Sequence, residues 1–301
     1  MMSTETIDAN NYPLTMITLC VIAYDSPKVI AQKVTSVTSG QWACVWGPVA
    51  LYSDLDVIYS LMYVVQRVNT NEFAFVIRGT TWDSLSSWLD EDFKISNQVP
   101  WSNYYWKAPQ AAAVSQGTAN GFKDLLSMYD PTRGFQSWIN VLSGNQGATV
   151  YVTGHSLGGT LTPALAAYIW GLSDTFGFNL TVQPYSFAGL TPGNPAFASY
   201  VDTLFPPSVT WRYNNTLDIA PYLWNNIQGL DNIYKPYGVD IPGWVNDILN
   251  DKVKGIPPYA QPNGNGFALA GDYVKYDIFK WEREAMYQHH STTYQGLVSK
   301  L

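Results

Sequence analysis

Histidine is scarce in this chain: among 301 residues there are three, His155, His289 and His290. Any chemistry that needs an imidazole must use one of those positions. Cysteine is scarcer still. Cys20 and Cys44 are the only two, both amid apolar neighbours, which argues against a disulfide scaffold and leaves two buried thiols or a single bridge open. Neither thiol, and no cluster of His or carboxylates, has metal-ligand spacing, so no metal and no cofactor is expected. Charge is thin as well: 16 Lys and Arg against 23 Asp and Glu give a net charge of -7, with no basic patch to attract nucleic acid or anionic headgroups. No apolar run approaches the ~18 residues of a transmembrane helix. Residues 1–11 hold Glu5 and Asp8 and no Lys or Arg, so a secretory signal is not visible; the sequence reads as a soluble protein, either cytoplasmic or stripped of a leader. Repeats, low-complexity tracts and charged linkers are missing too, which predicts a single domain over 1–301.

Apolar and aromatic residues are plentiful instead. They make up 47% and 15% of the chain, against 13% charged residues, a balance that suits an aromatic, sparsely charged surface for an apolar ligand or an interface. Apolar, β-branched runs at 72–78 and 148–153 read as buried strands, with 181–187 and 208–213 as two more, and 157–168 reads as a helix. Strands alternating with helices predict an α/β fold with a mostly parallel central sheet covered on both faces. The stretch 225–266, dense in Pro, Gly, Asn and Trp, reads as a surface excursion.

The chemistry concentrates at Gly154-His155-Ser156-Leu157-Gly158-Gly159. G-x-S-x-G alone is weak evidence, but here it directly follows a predicted strand and precedes a predicted helix, the setting of a nucleophile elbow. The small residues let backbones approach closely around a strained turn that holds the serine out. A helix beginning at Leu157 would aim its first N–H groups and its positive end at a developing oxyanion. The competing interpretation is a glycine-rich turn with Ser156 as a simple cap. Such a nucleophile needs a base. His155 is adjacent in sequence and should point away from Ser156, which leaves His289 and His290, and the order Ser, acid, His of α/β hydrolases places the base late in the chain. Without the elbow, that pair would read as two solvated histidines at a helix start.

Four blocks in order resemble the class 3 lipase family, which contains the filamentous-fungal triacylglycerol lipases. They are Phe75-Val-Ile-Arg78-Gly79-Thr80, the elbow itself, Phe187-Ala-Gly-Leu-Thr-Pro-Gly193-Asn194-Pro-Ala-Phe197, and Arg212-Tyr-Asn-Asn-Thr-Leu-Asp218-Ile-Ala-Pro221. The resemblance implies an α/β-hydrolase fold, Thr80 as an oxyanion donor beside Leu157, and Asp218 as the catalytic acid. Tyr294 follows His289 by five residues and His290 by four; the five-residue spacing favours His289, and the pair stays open. The resemblance also implies a lid at 81–98. Trp82, Leu85 and Leu89 fall at i, i+3 and i+7 with Trp88 beside them, so a helix there would carry an apolar face able to open at a lipid surface, or simply pack on a core. Trp101, Tyr104, Tyr105 and Trp106 could line an acyl groove or receive an aromatic acid such as a feruloyl group. The expected activity is hydrolysis of carboxylic esters of lipids. Feruloyl-type or short-chain esterase and phospholipase are alternatives on the same scaffold, and a silent lipase-like binding protein is the rival outside catalysis.

Overall fold

Period-two alternation along one central strand fixes which helices lie on which face of the sheet. A computed structural model describes residues 11–80, 94–134 and 136–301. The sequence predicts one domain over 1–301; the chain sorts into two compact units, Met1–Thr80 with Gly121–Ser186 and Thr81–Asn120 with Phe187–Leu301, each assembled from two separate stretches.

In the first unit, α1 (Tyr12–Ile22) starts at Asn11, whose side chain accepts the Leu14 N–H at 3.2 Å, and α2 (Pro27–Val37) begins on a proline, whose missing N–H costs nothing in a first turn. Strands β1 (Trp42–Tyr52), β2 (Ile58–Arg67) and β3 (Glu72–Ile77) pair antiparallel, because the loops joining them are too short for a crossover. β4 (Thr149–His155) then pairs parallel with β3, from Glu72 opposite Thr149 to Ile77 opposite Gly154. The crossover helix α3 (Leu157–Phe176) leads to β5 (Thr181–Phe187). β5 advances in step with β4: the Thr181 N–H donates to the Ala148 carbonyl at 2.9 Å and the Thr153 hydroxyl to the Tyr185 carbonyl at 3.0 Å.

On one face of β4, the Tyr151 ring lies 4.9 Å from that of Tyr12, and the Thr153 hydroxyl 3.3 Å from the Cys20 sulfur, so α1 covers that side. Gly154 points the other way and lies against Gly158 of α3. Both cysteines are free thiols, and burial pushes Cys20 up to about 12. The helix predicted over 157–168 runs on to Phe176 and ends at Gly177 in the left-handed conformation. Pro163 inside it has no N–H for the Gly159 carbonyl, and the Ser186 hydroxyl supplies that bond instead at 2.8 Å.

In the second unit, α4 (Pro195–Leu204) is capped by Asn194, which accepts the Phe197 N–H at 2.8 Å. β6 (Arg212–Asn215) begins later than the predicted 208–213. Its register is set by Arg212, which is buried and donates to the Pro262 carbonyl at 3.0 Å and to the Gly264 carbonyl. Burial lowers that guanidinium to about 10. β7 (Phe267–Leu269) pairs parallel with β6, and α6 (Lys280–His289) and α7 (Ser291–Val298) close the chain.

The expected surface excursion at 225–266 is corrected. Leu230, Ile233, Tyr234, Val245, Leu249 and Tyr259 are buried in one cluster with Leu217, Ile219, Trp281 and Ala285, and α5 (Gly243–Val253) runs through the stretch. Pro, Gly and Asn mark its turns, but most of the apolar side chains between those turns pack on one core, with Tyr237 and Trp244 left exposed. The 101–106 aromatics also divide. Trp101 is fully buried against Phe197, ring centroids 5.2 Å apart, and Tyr105 is buried, whereas Trp106 is 72% exposed. Of the predicted lid, residues 81–93, with Trp82, Leu85, Trp88 and Leu89, lie outside the described residues. The end that is described is anchored: Ile95 is buried with its carbonyl accepting the Tyr259 hydroxyl at 2.7 Å, and Gln98–Pro100 pairs with Ala113–Ser115. Among the described residues, no helix is long and apolar enough to cross a membrane.

A core role for 225–266 has a direct consequence. Leu249→Ala is expected to lower unfolding stability by about 2–5 kcal/mol in urea titration, where a side chain on a surface excursion would cost less than about 0.5 kcal/mol.

Candidate active site

Ser156 stands at the junction of β4 and α3 with φ 62° and ψ -124°, a conformation that an L-residue holds only when its surroundings impose it. It is fully buried, and its side chain does not cap α3, so the simple-cap interpretation fails. The main chain does the work of the turn: the Ser156 carbonyl accepts the Thr160 N–H at 2.9 Å. The N–H groups from Leu157 onward precede that first helical bond and have no acceptor within the helix. Two glycines make the turn possible. A Cβ on Gly158 would collide with the Ile77 carbonyl at the end of β3, and one on Gly79 would lie 2.5 Å from the His155 carbonyl and 3.0 Å from the Ser156 Cβ. The Arg78-Gly79-Thr80 turn is thereby pressed against the elbow, with Thr80 half-buried one residue on.

His155 faces away from this chemistry. Its Nδ1 is hydrogen-bonded to the Tyr24 hydroxyl at 2.9 Å, and the Arg78 guanidinium lies over the Tyr24 ring at 5.7 Å. Burial lowers the Arg78 pKa and raises that of Tyr24, in both cases by penalising the charged form.

The acid and the histidine pair belong to the second unit. Asp218 follows β6, is fully buried, and lies 2.9 Å through Oδ2 and 3.1 Å through Oδ1 from His289 Nδ1. A carboxylate only accepts, so the imidazole proton sits on Nδ1 and leaves Nε2 as the basic nitrogen. Two further donors hold the carboxylate: the Ala220 N–H reaches Oδ1 at 2.9 Å and the Tyr294 hydroxyl reaches Oδ2 at 2.7 Å. Burial and the Asp218 charge raise the Tyr294 pKa well above its ordinary value, so this group is a phenol donor. His290 has a different task. It is exposed, caps α7 by accepting the Thr292 N–H at 3.3 Å, and is paired with the Thr292 hydroxyl at 2.9 Å; partial desolvation of the ring, then its neighbour His289, lowers its pKa. Of the two candidates, then, His289 has the carboxylate. Neither the Tyr294 bond nor the Tyr24 contact could be read from residue types or spacing, because both join segments far apart in sequence.

The comparisons with known proteins bear on the same residues. Residues 74–227, which include the elbow and Asp218, match the family model of lipase (class 3). The chain belongs to the class 3 lipase family. It is a serine ester hydrolase of the α/β-hydrolase fold, with a mostly parallel central sheet flanked by helices. A crystal structure of M37 lipase superposes with a TM-score of 0.82 at 26% identity, covering 97% of this chain and 93% of that one. The lipase of Rhizopus microsporus var. chinensis (TM-score 0.51, 19% identity, 72% of this chain and 70% of that one) and the triacylglyceride lipase of Rhizomucor miehei (0.52, 19%, 73% and 76%) share the fold. No curated protein sequence matches this class 3 lipase significantly.

Two measurements follow from the packing. Gly158→Ala, which drives a methyl into β3 backbone, is expected to abolish soluble expression or to cost at least about 3 kcal/mol in denaturation. The second concerns Glu284 on α6, which is fully buried and whose pKa is raised by desolvation. A carboxyl with a raised native pKa contributes full stability below its ordinary value and loses it as pH rises through the native one. Glu284→Gln cannot ionise, so its stability relative to wild type should increase in urea titrations as pH rises above the ordinary glutamate range; a difference that stays flat refutes the assignment.

Proposed function

We propose that this chain hydrolyses carboxylic esters of lipids, acylglycerols foremost, through a Ser156 acyl-enzyme with His289 as base, Asp218 as the orienting acid, and the Thr80 and Leu157 N–H groups as oxyanion hole. One observation carries the reading: the His289 Nδ1 bond to a buried carboxylate at 2.9 Å, which makes Nε2 the basic nitrogen of the ring in a chain whose serine occupies a strained elbow. His289 Nε2 takes the Ser156 proton as Oγ attacks the ester carbonyl. The negative oxygen of the tetrahedral intermediate is held by two backbone donors, each supplying ~3 kcal/mol, and the C–O bond breaks as the imidazolium protonates the leaving alcohol. Water, deprotonated by the same nitrogen, then releases the acid, while Asp218 stabilises the imidazolium in both halves.

The lipid preference draws on family membership and on relatives described as triacylglycerol lipases. It includes a lid at 81–98 whose apolar residues Trp82, Leu85, Trp88 and Leu89 meet the lipid surface; the i, i+3, i+7 spacing supports this.

Hydrolysis of p-nitrophenyl esters from acetate to palmitate tests the reading. Ser156→Ala and His289→Ala are each expected to lose at least about 1,000-fold in kcat, and His290→Ala to stay within about threefold of wild type, with the rate rising toward longer acyl chains. If wild type and Ser156→Ala prove equally inactive on every ester, the catalytic reading falls and a binding role replaces it.

A further inference from the structure

Around the Asp218–His289 pair lies a buried set of polar side chains that the mechanism does not use. Asn215, the last residue of β6, is 1% exposed, and each of its polar groups is spent next to that pair. Its main-chain N–H donates to the Tyr294 hydroxyl at 3.0 Å, and its carbonyl accepts the Asp218 N–H at 3.0 Å. Its Oδ1 accepts the Leu217 N–H at 3.0 Å. Its Nδ2 donates to the carbonyl of Gln288, the residue before His289, at 2.9 Å, and to the Gln288 side-chain oxygen at 2.6 Å. One side chain therefore grips both the turn that carries the acid and the end of the helix that carries the base.

The orientation of that side chain is set from farther away. Gln288 Nε2 lies 2.7 Å from the Glu284 carboxylate and 2.7 Å from the Asp272 carbonyl, two acceptors, so that atom must be the NH₂. The Gln288 oxygen then faces Asn215, which must present its own NH₂ and turn Oδ1 to Leu217. Since the Tyr294 oxygen accepts from the Asn215 N–H, the phenol's own hydrogen is directed to Asp218. Glu284 is held by the Val274 N–H at 3.0 Å and 3.2 Å and has no ion-pair partner among the described residues. Every donor and acceptor sense between Glu284 and Asp218 is thus fixed, with Asn215 donating to both sides: through Gln288 to Glu284 and through Tyr294 to Asp218. Gly271 packs directly against the Asn215 Oδ1, where a Cβ would overlap that oxygen.

We propose that Asn215 is the positioning residue for the reaction, bracketing the Asp218 turn and the His289 helix end, with Gln288 and Glu284 locking its amide in the working orientation. The proposal rests on the reading of Asp218 and His289 as the acid and base. It predicts a loss confined to the chemical step, because the bracket touches the dyad's geometry and not the substrate.

The test compares Asn215→Leu, which keeps the size and removes the amide, with Leu249→Ala as a variant destabilised in the same unit that removes no hydrogen bond of the dyad or of the bracket. Asn215→Leu is expected to lower kcat by about 10- to 100-fold with KM within about threefold, and to shift or abolish the far-downfield proton resonance of the His289 Nδ1–H. Leu249→Ala should leave kcat and resonance in place. If Asn215→Leu does not fold, Gln288→Met decides by the same two readouts, since it removes the lock while keeping the main-chain bond. Folded variants with wild-type kcat and an unmoved resonance overturn the proposal. Activity surviving in Ser156→Ala and Asp218→Asn would instead sink the triad reading, and the proposal with it.

Discussion

The backbone of Ser156 is the constraint on which the first unit depends. A residue at φ 62° and ψ -124° costs of order 1–3 kcal/mol, and it persists here because the strand before it and the helix after it are both fixed by other contacts. Gly158 lets α3 touch the end of β3, and Gly79 lets the next turn touch the elbow. The long crossover helix survives an internal proline because the Ser186 hydroxyl replaces the missing donor. The sheet pairing, the helix and the two glycines all hold the serine in a turn that it would leave if any of them relaxed.

The second unit meets a different demand, that of keeping a carboxylate in a dry interior. Asp218 accepts from an imidazole, a main-chain N–H and a phenol, and the donors are themselves oriented by the Asn215, Gln288 and Glu284 set. Burying a charge without such partners would cost several kcal/mol, so the polar chain is the condition for placing an acid there at all. The same apolar surroundings that make the bonds strong raise the pKa of Glu284 and of Tyr294.

Much of this was legible in the residues. The strands at 72–77, 149–155 and 181–187 announce themselves by apolar, β-branched runs, and the elbow by its place between a strand and a helix. The stretch at 225–266 misled, since turn residues were dense enough to hide the apolar side chains between them, and the local pattern does not tell which way a short irregular segment faces. The start of β6 shifted for a related reason: its register is held by Arg212 reaching carbonyls some fifty residues away.

The sequence by itself determined the family, the nucleophile motif and the short list of residues able to serve it, because spacing along the chain is preserved in local structure. Only the tertiary structure decided which of two adjacent histidines meets the Asp218 carboxylate. His289 and His290 are chemically identical and differ by one step of backbone; one ends α6 facing Asp218, and the other turns outward to cap α7. That choice depends on where a segment seventy residues earlier comes to lie, and no local pattern carries that information.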